Sequence, residues 1–197
     1  MAHPSLKAQQ SERTKAGLVA SGRELFARHG YAGVSAEEVA KAADVTTGAI
    51  YHQFGSKRGL FVAVFEAVEA DLTAKIAGAA AGAQDPWAGL VAAAGAFIAA
   101  ATEPDVRQVV LIDGRSVLGW DEWHDVMARY GLGLTRAVVQ QMVDAGLLRN
   151  VPIDAFAATL FGALSELALF VATASDGAAA AADARAAAGM LFDSLRS

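Results

Sequence analysis

Side chains able to do covalent or metal chemistry are sparse in this sequence. It has no cysteine, which removes disulfides, thiolate metal sites, iron–sulfur clusters and thiol nucleophiles together. Its 4 histidines are scattered. The run Trp120-Asp121-Glu122-Trp123-His124-Asp125 puts Asp121 and His124 on one side of a helix, but no second histidine stands nearby to complete a zinc or iron site. No serine occupies a G-x-S-x-G elbow, and no glycine-rich phosphate loop occurs. An enzymatic activity, a cofactor and a bound metal are therefore not expected.

What the chain offers instead is hydrogen-bonding chemistry, concentrated near position 50. Thr46, Thr47, Gly48, Ala49, Tyr51, His52 and Gln53 lie within eight residues, with Lys57 just beyond. Threonine can hydrogen-bond a base edge or lay its methyl on thymine, glycine permits close approach, and alanine offers only a methyl. Histidine and glutamine can contact a phosphate or a base edge, and lysine a phosphate, as would Ser35 at a helix start. The charge pattern agrees. The chain carries a net −5, yet residues 1–60 hold eight basic and five acidic side chains, so +3 falls there and −8 on the remainder. An anion-binding amino-terminal module on an acidic body is implied.

Those residues need helices to position them. Alanine is abundant, there are 4 prolines, 54% of residues are hydrophobic, and no useful strand-like alternation appears. This composition excludes a disordered chain and reads as all-α. Residues 1–12 are polar and mixed and are read as a flexible arm. Helical spacing starts at Thr14 and stops at Gly30. Ser35 with Glu38 is a capping box opening a short second helix through Ala43. After a turn at Asp44-Val45, Thr46–Gln53 forms a third helix with Ile50 and Phe54 buried. Ser56 caps a long fourth, carrying Leu60, Phe61, Val64, Phe65, Val68 and Leu72. Two helices joined by so short a turn make a helix-turn-helix, the second entering a major groove. Gly78–Gln84 reads as a small-residue connection, and Asp85-Pro86 as a cap and first turn. Further helices are expected over Glu103–Ile112, Trp120–Gly146, Ile153–Ser175 and from Asp176-Gly177 to Leu195. The chain thus divides into 13–60, a helix-turn-helix module, and 61–197, the helices that follow it.

The run Leu25-Phe26, Gly30-Tyr31, Val39-Ala40, Val45-Thr46-Thr47-Gly48-Ala49-Ile50-Tyr51-His52-Gln53-Phe54, Lys57 and Leu60 resembles the DNA-binding domain of the tetracycline-repressor (TetR) family, over about residues 14–65. The resemblance implies a homodimeric, ligand-responsive transcriptional regulator, in most members a repressor, bound to a palindromic operator on double-stranded DNA. It implies that Tyr51 reaches a phosphate and that Thr47, Gly48, Ala49 and Tyr51 read bases. The family usually has glycine where this chain has Asp44. Aspartate tolerates turn conformations, so the turn still forms, although the acid is expected to trim DNA affinity.

The rest of the chain has that family's helix count without a comparably specific motif. A small-molecule effector is expected among Trp87, Phe97, Trp120, Trp123, His124 and Phe161, oriented by polar groups drawn from Asp113, Arg115, Asp121, His124, Arg129 and Glu166. The last two helices are expected to pair with a second copy through Leu160, Leu164, Leu167, Ala188, Leu191 and Leu195, small residues allowing close approach. No signal peptide is visible, and Asp154, Ser165 and Glu166 interrupt the most apolar stretch, so no membrane is expected and the chain reads as cytoplasmic. The alternative is an all-α small-molecule-binding protein or enzyme whose amino-terminal module no longer binds DNA.

Overall fold

The segmentation follows from where the chain caps its helices. The computed structural model describes residues 5–149 and 151–195; among them are ten α-helices, one π-helical segment and no strand. Helix α1 spans Leu6–His29, α2 Ala36–Ala42, α3 Thr47–Phe54 and α4 Lys57–Ala81. Helix α5 covers Pro86–Ala100, the π-helical segment Val106–Asp113, α6 Gly114–Leu118, α7 Trp120–Arg129, α8 Gly131–Asp144, α9 Ile153–Thr173 and α10 Gly177–Ser194. Ser35 and Glu38 form the capping box that opens α2: the Ser35 hydroxyl accepts from Glu38 N, and Ser35 N donates to the Glu38 carboxylate. Ser56 accepts from Gly59 N to open α4, and Asp85 accepts from Ala88 N to open α5.

Several expectations are corrected. Residues 6–12 of the expected arm are the start of α1, capped by Ser5, because the sequence there is rich in helix formers; residues 1–4 lie outside the described residues. Helix α4 continues through Gly78 to Ala81, the alanines outweighing one glycine, and crosses the expected boundary at residue 60 unbroken. The single helix expected over Trp120–Gly146 breaks at Tyr130 (φ −114°, ψ −100°). Glycine permits that break. A Cβ on Gly131 would come within 2.8 Å of the Phe161 ring, and one on Gly133 within 2.6 Å of the Ala128 carbonyl oxygen.

The turn between α2 and α3 shows how Asp44 replaces the usual glycine. Asp44 has φ +54°, Val45 N donates to Ala40 O, and Asp44 N donates to Lys41 O. That is a Schellman motif with aspartate in the left-handed position. The same motif ends α8, where Gly146 (φ +71°) takes that position, Leu147 N donating to Met142 O and Gly146 N to Val143 O.

Two apolar clusters organise the chain. The first joins α1–α3 to α4, the π segment and α7, through Phe26, Ile50, Phe61, Phe65, Val109 and Met127. The second lies among α5, α8, α9 and α10, through Leu90, Ile98, Met142, Leu160, Leu164 and Phe192. Helix α9 is long and apolar enough to cross a membrane by length and composition, but here it packs against α5, α8 and α10.

Asp44→Gly is expected to stabilise the fold by about 0.5–1 kcal/mol, because it removes the left-handed penalty while keeping both turn hydrogen bonds. Urea unfolding of the two proteins checks this; a less stable variant would show that the aspartate side chain itself holds the turn.

Candidate nucleic-acid interface and internal cavity

Helix α3 is anchored on one side and open on the other. Ile50 is fully buried, and Ala49 and Phe54 pack partly into the first cluster. Gly48, Tyr51 and His52 are exposed, with Tyr51 at 54%. A Cβ on Gly48 would meet only Thr46 Oγ1, at 3.7 Å, so the fold itself does not demand glycine there. Thr46 caps α3 by position without a side-chain hydrogen bond, leaving its hydroxyl unused by the cap, and Thr47 is half-buried.

The flanking residues divide into those free to reach outward and those already engaged. Lys57 Nζ lies 4.1 Å from the Tyr31 ring centroid, a cation–π contact that holds it beside the first turn of α4. Gln53 differs from expectation: its side-chain amide donates to Ser11 Oγ at 2.8 Å, tying α1 to α3. Of the basic residues behind the amino-terminal charge, Arg23 pairs with Asp71 and Asp105, Arg28 with Glu24 and Arg58 with Glu122. Among the described residues no ion pair involves Lys7, Arg13, Lys15, Lys41 or Lys57, three of which lie on the first half of α1. The sequence reading counts those three in the basic excess without giving them a role, and places only Lys7 in the expected arm.

Carboxylates and an arginine fasten this module to the body. Asp113 Oδ2 accepts from Tyr31 N at 2.7 Å and from Gln108 Nε2 at 3.1 Å. Arg58, in the first turn of α4, donates to the carbonyl oxygens of Val117 and Leu118 at 3.1 and 2.7 Å and pairs with Glu122 at 2.6 Å.

Beyond these contacts, α4–α9 and the π segment enclose a cavity of about 460 Å³. Of the residues proposed from the sequence for an effector, Phe97, Trp120, Trp123, His124 and Phe161 line it. Trp87 does not: it is buried in the second cluster, its side chain turned into the α5 packing face. Of the polar candidates, Arg115, His124 and Glu166 line the cavity, whereas Asp113 serves the latch just described, Arg129 pairs with Glu66 and Asp121 lies outside the lining. Arg115, Trp120 and His124 are exposed and stack at one edge, with the Trp120 and His124 rings 5.6 Å apart and the Arg115 guanidinium 4.8 Å from Trp120.

Glu69 was not singled out from the sequence. It stands on α4 amid Val68, Leu72 and Ile76, where helical periodicity marks it only as one acid on a long helix. In the structure it lines the cavity at 3% exposure, the one buried charged side chain among the described residues, without a hydrogen bond or ion pair there. Burial pushes its carboxyl up from 4.5 to about 7.

The expected dimer residues also sit differently. Leu160, Leu164 and Ala188 are buried in the chain's own second cluster, and Leu167 and Leu195 are half-buried against it; only Leu191 is exposed, at 37%. An apolar stripe does not reveal what it faces, and the bulky leucines turned inward. The outer faces of α9 and α10 carry Phe170, and Ala182, Ala186 and Met190, whereas the exposed Ala158 and Gly162 of α9 line the cavity.

Comparison with known proteins decides the family. Residues 18–64 match the model of bacterial regulatory proteins, tetR family, and residues 87–195 match that of the tetracyclin repressor-like C-terminal domain. The chain belongs to the tetracycline-repressor family. It is 31% identical to a TetR-family transcriptional regulator from Pectobacterium atrosepticum, whose crystal structure superposes with a TM-score of 0.85, covering 95% of this chain and 96% of that one. It is 25% identical over 156 residues to the Transposon Tn10 TetC protein of Escherichia coli, 77% of either chain. A shorter match, 32% identical over 65 residues, joins it to the HTH-type transcriptional repressor NicS of Pseudomonas putida, covering 33% of this chain and 31% of that one. This TetR-family chain is a DNA-binding transcriptional regulator.

Glu69 also sets a pH dependence. Its folded-state value lies above the unfolded one, so the folded chain holds a proton that the unfolded chain releases. Stability from this group is present below pH 4.5 and is lost as pH rises to about 7. At about 1.4 kcal/mol per pH unit the loss approaches 3 kcal/mol. Glu69→Leu is expected to be more stable than the parent, by a margin that grows between pH 5 and pH 8. Denaturant melts at both values check it, and an equal margin at both would contradict it.

Proposed function

We propose that the protein represses transcription as a homodimer, seating two α3 helices in successive major grooves of a palindromic operator, and that a small molecule in the cavity releases it. The carrying observation is the exposed edge of α3, Gly48-Tyr51-His52, held rigidly over the buried Ile50. Thr46, Thr47, Gly48, Ala49 and Tyr51 would face base edges, and Ser35, His52 and Lys57 would meet phosphates. The Ser35 hydroxyl oxygen accepts within its capping box, which leaves its proton free to donate outward. Lys7, Arg13 and Lys15 on α1 would add backbone contacts, since the Gln53–Ser11 bond sets that part of α1 beside α3. Such a protein acts in the cytoplasm, where its operator lies.

Release needs a connection between cavity and DNA surface, and α4 supplies a short one. Lys57 opens the helix and Glu69, twelve residues later, lines the cavity, roughly 18 Å along one axis. Arg58 adds a second link, because it grips the carbonyl end of α6 and the first turn of α7, which carries Trp120, Trp123 and His124. A ligand that prefers one placement of α7 over another thereby biases the angle of α4 and the separation of the two α3 helices, which must match grooves roughly 34 Å apart.

Dimerisation would use the outer faces of α9 and α10. Their small residues allow close helix approach, and Phe170 and Met190, exposed at 50% and 76%, would be covered. Ala186→Asp and Phe170→Asp are expected to leave a folded monomer, whereas Leu164→Asp unfolds the chain by burying an unpaired charge in its own core. Sedimentation together with circular dichroism separates these outcomes; a dimer in both outer-face variants would exclude this surface.

The DNA reading is tested on duplexes selected from a random library. Lys57→Ala should weaken binding and lower the salt slope by about one, the release of one counterion, while Tyr51→Phe should weaken binding with an unchanged fold. Unaltered affinity and slope in both variants would overturn the assigned surface.

A further inference from the structure

Glu69 poses a problem that the fold leaves unsolved. A carboxyl at 3% exposure normally has a partner, and among the described residues this one has none. Among the described residues no cationic side chain pairs with it. Helices α5 and α8 and the π segment present no titratable side chain to that space; α6 contributes Arg115, α7 His124 and α9 Glu166, all three exposed. The rest of the lining is largely apolar and aromatic, including Phe97, Trp123 and Phe161.

We propose that the effector is a lipophilic monocation, a protonated amine on an apolar or aromatic body, whose ammonium group is received by the Glu69 carboxylate. This rests on the reading of the cavity as the effector site. A neutral ligand would leave the carboxylate unpaired or hold it protonated, and an anion would add a second negative charge beside it. A protonated amine supplies the missing counter-charge and donors, and the aromatic side chains of the lining offer rings on which a cation is favoured. The elevated carboxyl value of Glu69 agrees, and it gives the binding a direction with pH: an ammonium must displace the proton below pH 7, but not above it.

The test compares three probes of matched shape, 2-(1-naphthyl)ethylamine, 2-(1-naphthyl)ethanol and 1-naphthaleneacetate, titrated calorimetrically into the full-length protein. The amine is expected to bind at least tenfold more tightly than the alcohol or the acid at pH 8.5, and to weaken at least tenfold at pH 5.5. Glu69→Gln, close in shape, should lose both differences. His124→Gln should keep them, which separates Glu69 from the histidine at the cavity edge. Melting curves without probe confirm that each variant is folded, and Glu69→Leu serves if Glu69→Gln is not. Equal binding of the three probes, or amine binding indifferent to Glu69 substitution, would overturn the cationic effector while leaving the cavity as a ligand site. Failure of all three probes to bind would overturn the cavity reading and this inference together.

Discussion

Helix α4 is the constraint on which the molecule depends. Its 25 residues form a rod of roughly 37 Å that belongs to both parts of the protein. Phe61 and Phe65 complete the core under the recognition helix, and Leu72 and Ile76 wall the cavity further along. Gly114 shows how tight the seam is, for a Cβ there would stand 2.4 Å from the Phe65 ring. With packing this close the amino-terminal module cannot swing independently of the body. Any change in the tilt of α4 is a change in where α3 points.

Polar contacts sharpen that coupling. Asp113 holds the backbone after α1, Arg23 bridges α1 to Asp71 on α4 and Asp105 before the π segment, and Arg58 ties α4 to α6 and α7. These arginines belong to the basic excess of the first sixty residues, so part of what resembles a DNA-binding charge is structural. Among the described residues up to position 60, the lysines and arginine left outside such pairs lie on α1, at the end of α2 and at the start of α4.

The cavity is a place where stability has been given up. Filling it with larger side chains and replacing Glu69 by leucine would strengthen the fold, since an unpartnered buried acid is costly and empty space forfeits packing. A regulator needs that deficit, because a ligand acts only through a difference in affinity between two arrangements of the protein. The π-helical segment, which shares Val110 with the cavity wall and Asp113 with the latch, sits between these functions.

Local physical chemistry determined the helices and most of their ends. The Ser35–Glu38 box, the Ser56 and Asp85 caps and the Asp44 turn need only neighbouring residues, so they were legible in the sequence, as was the helix-turn-helix. Facing was not legible. Leu160, Leu164 and Ala188 look like an interface stripe until tertiary packing turns them inward, and Trp87 looks like a cavity residue until α5 buries it elsewhere. The close approach of the Phe161 ring to Gly131, just after the break at Tyr130, joins residues thirty positions apart. Glu69 illustrates the division most sharply. In the sequence it is one acid on a long helix; only the packing of the other helices around α4 buries it beside a cavity and leaves it unpaired, because burial and partnership are properties of neighbours in space.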